Sequence, residues 1–252
     1  MTDSPLIVAL DHDDPAAARA CVQALAGRVG RFKVGSALFT RSGPSFVAAL
    51  VGEGRRVFLD LKYHDTPATV AGAVAAAADL GVDLLTLHAA GGPAMLAAAR
   101  RAADEIRGSG GAAGGSAGRR PRLLAVTVLT SLGPEDYARV AGPGARPLAE
   151  AVSALARMAL DEGLDGVVCA AAEAAGLRAS LGSVPLLVVP GIRPAWSEAG
   201  HGGQARRATP AGALRAGATY IVVGRAITQA TDPTAAADRI AAEIATPGES
   251  GA

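Results

Sequence analysis

Short runs of β-branched and leucine residues alternate with longer alanine-rich segments along almost the whole chain. Eight such runs read as strands: Leu6–Leu10, Arg31–Val34, Val57–Leu61, Leu84–Leu87, Leu123–Val128, Gly166–Val168, Leu186–Val189 and Tyr220–Val223. They are nearly continuous in apolar character rather than strictly alternating, which is the mark of parallel strands covered by helices. Helices are expected at Pro15–Ala26, Pro44–Val51, Pro67–Asp79, Pro93–Ile106, Leu148–Asp161, Ala171–Ser180, Pro210–Ala216 and Pro233–Ala245. Many open on a proline preceded by Asp, Thr or Gly, the chemistry of a helix start. A strand-then-helix unit repeated eight times predicts a single-domain α/β fold, the (β/α)8 TIM barrel, rather than an open doubly wound sheet. No G-x-G-x-x-G run follows the first strand, so a dinucleotide-binding sheet is disfavoured further. The barrel domain is expected to span residues 1–245. A glycine-rich insert at 108–118 reads as a flexible loop, and residues 246–252 as a disordered tail.

Composition narrows the picture. The chain has 252 residues, half of them apolar and only 3% aromatic, so its core is built mainly from Ala, Val, Leu and Ile. A net charge of +1 offers no field that would draw in nucleic acid or an acidic membrane. The longest apolar stretches are too short for a membrane span, and no signal-type segment opens the chain. Cys21 and Cys169 are too few for a disulfide framework, which points to a reducing cytoplasmic setting.

Polar residues fall where the expected strands end, the rim on which barrels of this type carry their chemistry. Asp11 follows the first strand and Lys33 lies in the second. Asp60 and Lys62 close the third, His88 the fourth and Thr130 the fifth, while Arg193 and the Gly224-Arg225 pair follow the seventh and eighth. Two apart on a strand, Asp60 and Lys62 project from one face. They form either a self-satisfied internal ion pair or part of a catalytic cluster with Asp11, Lys33 and Asp65. The second reading is favoured, because a buried pair alone adds little stability. Asp65-Thr66-Pro67 reads equally well as the cap of the third helix, and Asp13-Asp14-Pro15 is taken as a cap outright.

In Tyr220–Gln229 a strand runs through Gly224-Arg225 into a helix, a phosphate-cradle pattern also expected to involve Arg193 and Gln204. The four histidines show no metal-ligand spacing, and His88 reads as a structural residue rather than a base. No Ser or Cys stands in a nucleophile elbow, which leaves Lys62 to handle protons.

Taken together these landmarks resemble the orotidine 5'-phosphate decarboxylase family over residues 6–236. The matching stretches are A-L-D ending at Asp11, F-K-V-G with Lys33, D-L-K-Y-H-D-T-P at 60–67, T-L-H-A-A-G-G at 86–92, V-T-V-L-T-S at 126–131, P-G-I-R-P at 190–194 and V-V-G-R-A-I-T at 222–228. The resemblance implies a decarboxylase that turns orotidine 5'-phosphate into UMP and carbon dioxide without metal or cofactor. It implies that Asp11 holds the ribose hydroxyls, Lys33 bridges ribose and Asp60, and Asp60 lies against the substrate carboxylate. Lys62 would protonate the pyrimidine carbon, and Thr130 would contact the ring. Arg193, Gln204, Arg225 and the Gly224 amide would grip the phosphate. Asp65 and Thr66 would reach into the neighbouring subunit's site, making the active unit a homodimer.

Two departures stand out. Ala68 replaces the Asn of the family's Pro-Asn-Thr, and His201-Gly202-Gly203-Gln204 replaces its Gly-Asp-Gln, so the alignment of Gln204 is the least constrained. The rival reading is a magnesium-dependent sugar-phosphate decarboxylase sharing D-x-K-x-x-D. Such relatives carry an acidic residue at the position of Lys33 and lack P-G-I-R-P.

Overall fold

In the computed structural model of the chain, residues 4–105, 120–197 and 208–245 are described. Eight parallel strands close into a barrel in chain order: β1 (Leu6–Ala9), β2 (Arg31–Gly35), β3 (Arg56–Tyr63), β4 (Leu84–His88), β5 (Arg122–Val126), β6 (Gly166–Val168), β7 (Leu186–Val189) and β8 (Tyr220–Val223). β1 pairs with β8 through Ile7 opposite Val222, which seals the ring. Around it lie α1 (Pro15–Ala24), α2 (Ser36–Gly52), α3 (Pro67–Asp79), α4 (Gly92–Glu105), α5 (Pro134–Ala141), α6 (Leu148–Asp161), α7 (Ala171–Leu181), α8 (Pro210–Arg215), α9 (Arg225–Thr228) and α10 (Pro233–Ala245). None of the described helices is long and apolar enough to cross a membrane.

Alternation along the strands divides the core. Ile7, Ala9, Phe58, Leu84, Leu124, Val126, Val168, Val188, Tyr220 and Val222 form a cluster of their own inside the barrel. A larger cluster lies between strands and helices and includes Val8, Phe32, Leu59, Leu85, Leu123 and Ile221. Following each inward series toward the C-terminal end of its strand changes its chemistry. Ile7 and Ala9 lead to Asp11, Phe58 to Asp60, Leu84 to Thr86 and His88, and Val222 to Gly224. The sequence thus makes a barrel that is apolar in its middle and polar at its mouth.

The opposite, N-terminal end is also polar, but self-contained. Arg31 Nε donates to Asp83 Oδ2 at 2.8 Å, and Arg122 Nη2 donates to both Asp83 oxygens at 3.0 Å. Arg122 Nη1 also donates to the Tyr220 hydroxyl at 3.2 Å, and the Arg31 guanidinium lies 4.2 Å over the Tyr220 ring. A carboxylate shared by two guanidiniums, both of which lie over the Tyr220 ring, plugs the floor of the barrel.

Several boundaries differ from those the sequence suggests. The second helix starts at Ser36 rather than Pro44: two helical pieces meet at Gly43, whose φ of 66° turns the chain just before Pro44. Pattern reading caught only the piece that the proline announces. α5 is only eight residues long and carries no fully buried residue, Tyr137 alone packing partly against the core, although Pro134, Glu135 and Asp136 supply its start and Arg139 its end. β5 stops at Val126 instead of Val128; Thr127 and Val128 continue buried but outside the ladder. The expected caps are mixed. Asp14 accepts the Ala16 N–H at 2.9 Å, as the capping reading requires. Thr66 occupies the cap position of α3, yet its side chain makes no capping bond. The glycine-rich insert at 108–118, Ile106 and the tail at 246–252 lie outside the described residues.

Candidate active site

Four of the charged residues singled out in the sequence meet at the barrel mouth. Lys33, inward on β2, donates to Asp11 Oδ1 at 2.9 Å and stands 3.7 Å from Asp60 Oδ2. Lys62 Nζ donates to Asp60 Oδ1 at 2.9 Å. The order along the chain of contacts is therefore Asp11, Lys33, Asp60, Lys62, with alternating sign. Exposure decides how these charges behave: the side chains of Lys33 and Asp60 are 12% and 13% exposed, Lys62 is 37% and Asp11 is 61%. The inner pair is held by its neighbours, whereas Lys62 stays partly exposed and Asp11 mostly so. Gly35 makes room for this array, because a Cβ there would sit 3.1 Å from Lys33 Nζ.

β3 does not reach this geometry as a regular strand. Its pairing with β4 slips between Leu59 and Tyr63, which face Leu85 and Leu87, so Asp60, Leu61 and Lys62 share the single position of Thr86. Lys62 has φ of 52°, and no other non-glycine residue among those described has a positive φ. The simple two-residue alternation expected to align Asp60 and Lys62 is therefore broken, and a bulge turns Lys62 onto Asp60 instead. Sequence reading passed over Thr86. Its hydroxyl donates to Asp60 Oδ1 at 3.0 Å and accepts the Lys62 backbone N–H at 2.9 Å. The signal was available: Thr86 is the one polar residue within the apolar run L-L-T-L, two positions before His88 on the same inward series.

His88 is half-buried at the end of β4. Its Nδ1 accepts the Ala90 N–H at 3.3 Å, and its ring stacks on His64 with centroids 5.3 Å apart. Burial, the adjacent His64 and the Lys62 ammonium all disfavour its protonated form and push its pKa below 6.5. A neutral imidazole fits the structural part expected of it. Among the described residues no group of three or more His, Cys, Asp or Glu side chains could hold a metal ion.

Beside the charged array opens a cleft lined by Asp11, Lys33, Arg193, Gly224 and Arg225, among others. Arg193 lies in the loop after β7, its backbone N–H bonded to the Ala208 carbonyl at 3.1 Å. Gly224 precedes α9 and faces Asp11: a Cβ added there would lie 3.8 Å from Asp11 Oδ2. Arg193, Gly224 and Arg225, three of the residues read as a phosphate cradle, thus border the same cleft as Asp11 and Lys33. Gln204 lies outside the described residues. Thr130 does not close a strand; it sits in an exposed turn past β5, away from the hydrogen bonds of the array. Asp65 and Thr66 are exposed at the start of α3. The Asp65 carboxylate accepts the Thr66 N–H at 2.6 Å, and the Thr66 and Thr69 hydroxyls are 2.9 Å apart.

A cleft bordered by two arginines, beside a carboxylate held between two ammonium groups, has the groups to hold a phosphate and to deliver a proton. The chain is 50% identical over 244 residues to the orotidine 5'-phosphate decarboxylase of Halorhodospira halophila, covering 96% of this chain and 97% of the relative. It is 48% identical over 245 residues to that of Chromohalobacter salexigens, covering 97% and 98%. The crystal structure of orotidine 5'-phosphate decarboxylase from Lactobacillus acidophilus superposes with a TM-score of 0.80 at 38% identity, over 97% of this chain and 100% of that one. The profile of the orotidine 5'-phosphate decarboxylase / HUMPS family matches residues 4–240. With this match spanning the whole barrel, the chain belongs to the orotidine 5'-phosphate decarboxylase / HUMPS family.

Proposed function

We propose that the chain is an orotidine 5'-phosphate decarboxylase, a carboxy-lyase that releases carbon dioxide from orotidine 5'-phosphate to give UMP in pyrimidine biosynthesis. The observation that carries this reading is the Lys33–Asp60–Lys62 array at the mouth of the barrel, with Asp60 2.9 Å from one ammonium and 3.7 Å from the other. When the bond from the ring to the carboxylate breaks, both its electrons stay on the ring carbon, where resonance offers little relief. The Lys62 ammonium stands ready for that charge. It stabilises the developing carbanion and then gives it a proton, forming the new carbon–hydrogen bond; the neutral amine recovers a proton from solvent. Because Asp60 fixes the ammonium beforehand, little reorganisation is needed at the moment of reaction. The residues named do this work themselves, and the reading calls for no metal or organic cofactor.

The remaining residues take the substrate's other parts. Asp11 binds the ribose hydroxyls, and Lys33 links the ribose to Asp60, which lies against the leaving carboxylate. Thr130 contacts the pyrimidine from the turn after β5. Arg193, Gln204 and Arg225, with the Gly224 amide, bind the phosphate, and that distant grip supplies binding energy that orders the charges around the reacting carbon. Asp65 and Thr66 act across the interface of a homodimer, in the partner's site. The setting is the cytoplasm. A direct test is the fall in ultraviolet absorbance of orotidine 5'-phosphate mixed with purified protein and a chelator. Steady conversion to UMP supports the reading; an inert substrate, or turnover that the chelator abolishes, rejects it.

A further inference from the structure

We infer that Thr86 is a positioning residue for this reaction, fixing Lys62 from both ends through one hydroxyl; the inference rests on the decarboxylase reading above. Thr86 is fully buried, at 0% exposure, in a strand otherwise made of Leu84, Leu85, Leu87 and the half-buried His88. Valine has the same shape and would fill such a place without an oxygen to satisfy. A buried hydroxyl is costly unless it is hydrogen-bonded. Here it both donates and accepts, and both partners belong to the array.

The geometry closes a ring. The Lys62 N–H donates to Thr86 Oγ1 at 2.9 Å, Thr86 Oγ1 donates to Asp60 Oδ1 at 3.0 Å, and Lys62 Nζ donates to the same Asp60 oxygen at 2.9 Å. Lys62 is therefore held at its backbone and at its ammonium, and Thr86 is the common reference for both. The bulge explains why a side chain is needed. With three residues of β3 facing one of β4, the Lys62 N–H has no regular ladder acceptor, and the Thr86 hydroxyl takes that place. It also helps to hold Lys62 at its φ of 52°, a conformation unfavourable for a lysine unless its surroundings impose it. Removing the hydroxyl frees the backbone to relax toward an ordinary strand and takes a donor from Asp60. Both changes move the ammonium relative to the reacting carbon.

Thr86→Val tests this. Displacement of a reacting group by about 1 Å costs on the order of 100-fold, so kcat on orotidine 5'-phosphate should fall by roughly that factor. The affinity for UMP, set by the phosphate and ribose contacts, should change by less than about threefold, which separates a positioning role from general damage to the site. Thr86→Ser restores the hydroxyl and should regain most of the lost turnover. If Thr86→Val does not fold, Thr86→Ala carries the same test. A hydroxyl-free variant with kcat within about twofold of the parent, a loss appearing only in KM, or a serine variant no better than valine overturns the inference. A crystal structure of the hydroxyl-free variant decides independently of activity. Lys62 leaving positive φ and separating from Asp60 supports the role, and an unchanged Lys62 rejects it. Failure of the parent protein to act on orotidine 5'-phosphate would instead reject the decarboxylase reading, and the structural comparison would still decide the part played by Thr86.

Discussion

Asp83→Ala should destabilise the barrel while leaving the chemistry of each folded molecule intact. Asp83 lies just before β4 on the floor of the barrel, where its carboxylate serves both Arg31 at 2.8 Å and Arg122 at 3.0 Å. Arg31 is 3% exposed and the Asp83 side chain 17%, so neither charge is solvated well enough to make the loss harmless. Removing one partner of a buried ion pair costs about 3–5 kcal/mol, because the positive charges left behind remain poorly hydrated. For a domain of this size each kcal/mol lowers the melting temperature by roughly 2–4 °C, so a fall of about 6–20 °C is expected. Thermal and urea unfolding followed by circular dichroism read the loss. Turnover per folded molecule should stay at the parent value, since the reacting residues stand at the other end of the strands. A loss below about 1 kcal/mol, the range of a surface pair, would refute the view that this cluster carries buried charge. So would a selective loss of turnover.

Two further outcomes follow from the titrating groups. The folded chain holds His88 below its ordinary pKa of 6.5, so near that pH the unfolded chain takes up a proton that the folded chain does not. The contribution of His88 is therefore fully present above about pH 6.5 and is lost on acidification until the folded imidazole itself titrates. Urea unfolding from pH 7.5 to 5 should show this decline, and His88→Gln should flatten it; parallel curves for the two proteins would contradict the assignment. Cys169 is completely buried, with its thiol pushed up to about 12 chiefly by burial, and Cys21 is buried too. Neither should react with a thiol reagent at pH 8 until denaturant is added, and rapid labelling of the native protein would count against the packing of these two residues.

The barrel was readable because its strands carry mostly apolar runs and half of its described helices begin on proline. Gly166–Val168, Leu186–Val189 and Tyr220–Val223 fall where the pattern puts them. What escaped had no such signature. The first half of α2 ends at a glycine kink, and α5 is short and buries no residue fully. At the site, residue types on one rim were enough to select Asp11, Lys33, Asp60 and Lys62. Their mutual arrangement was not legible. A lysine at positive φ leaves no trace in residue order, and a threonine inside a leucine-rich strand marks an inward polar position without naming its partners. What Thr86 does emerges only when the slip between β3 and β4 puts its hydroxyl between the Lys62 backbone and Asp60.

The most direct test of the account is carbon dioxide release from carboxyl-labelled orotidine 5'-phosphate by the Lys62→Ala protein, set against its parent. Loss of the proton donor together with its electrostatic stabilisation should lower turnover by a factor on the order of 10,000 or more, with UMP still bound and the fold unchanged. Release within about tenfold of the parent would mean that the proton reaches the pyrimidine by another route, and the role given to Lys62 would be wrong.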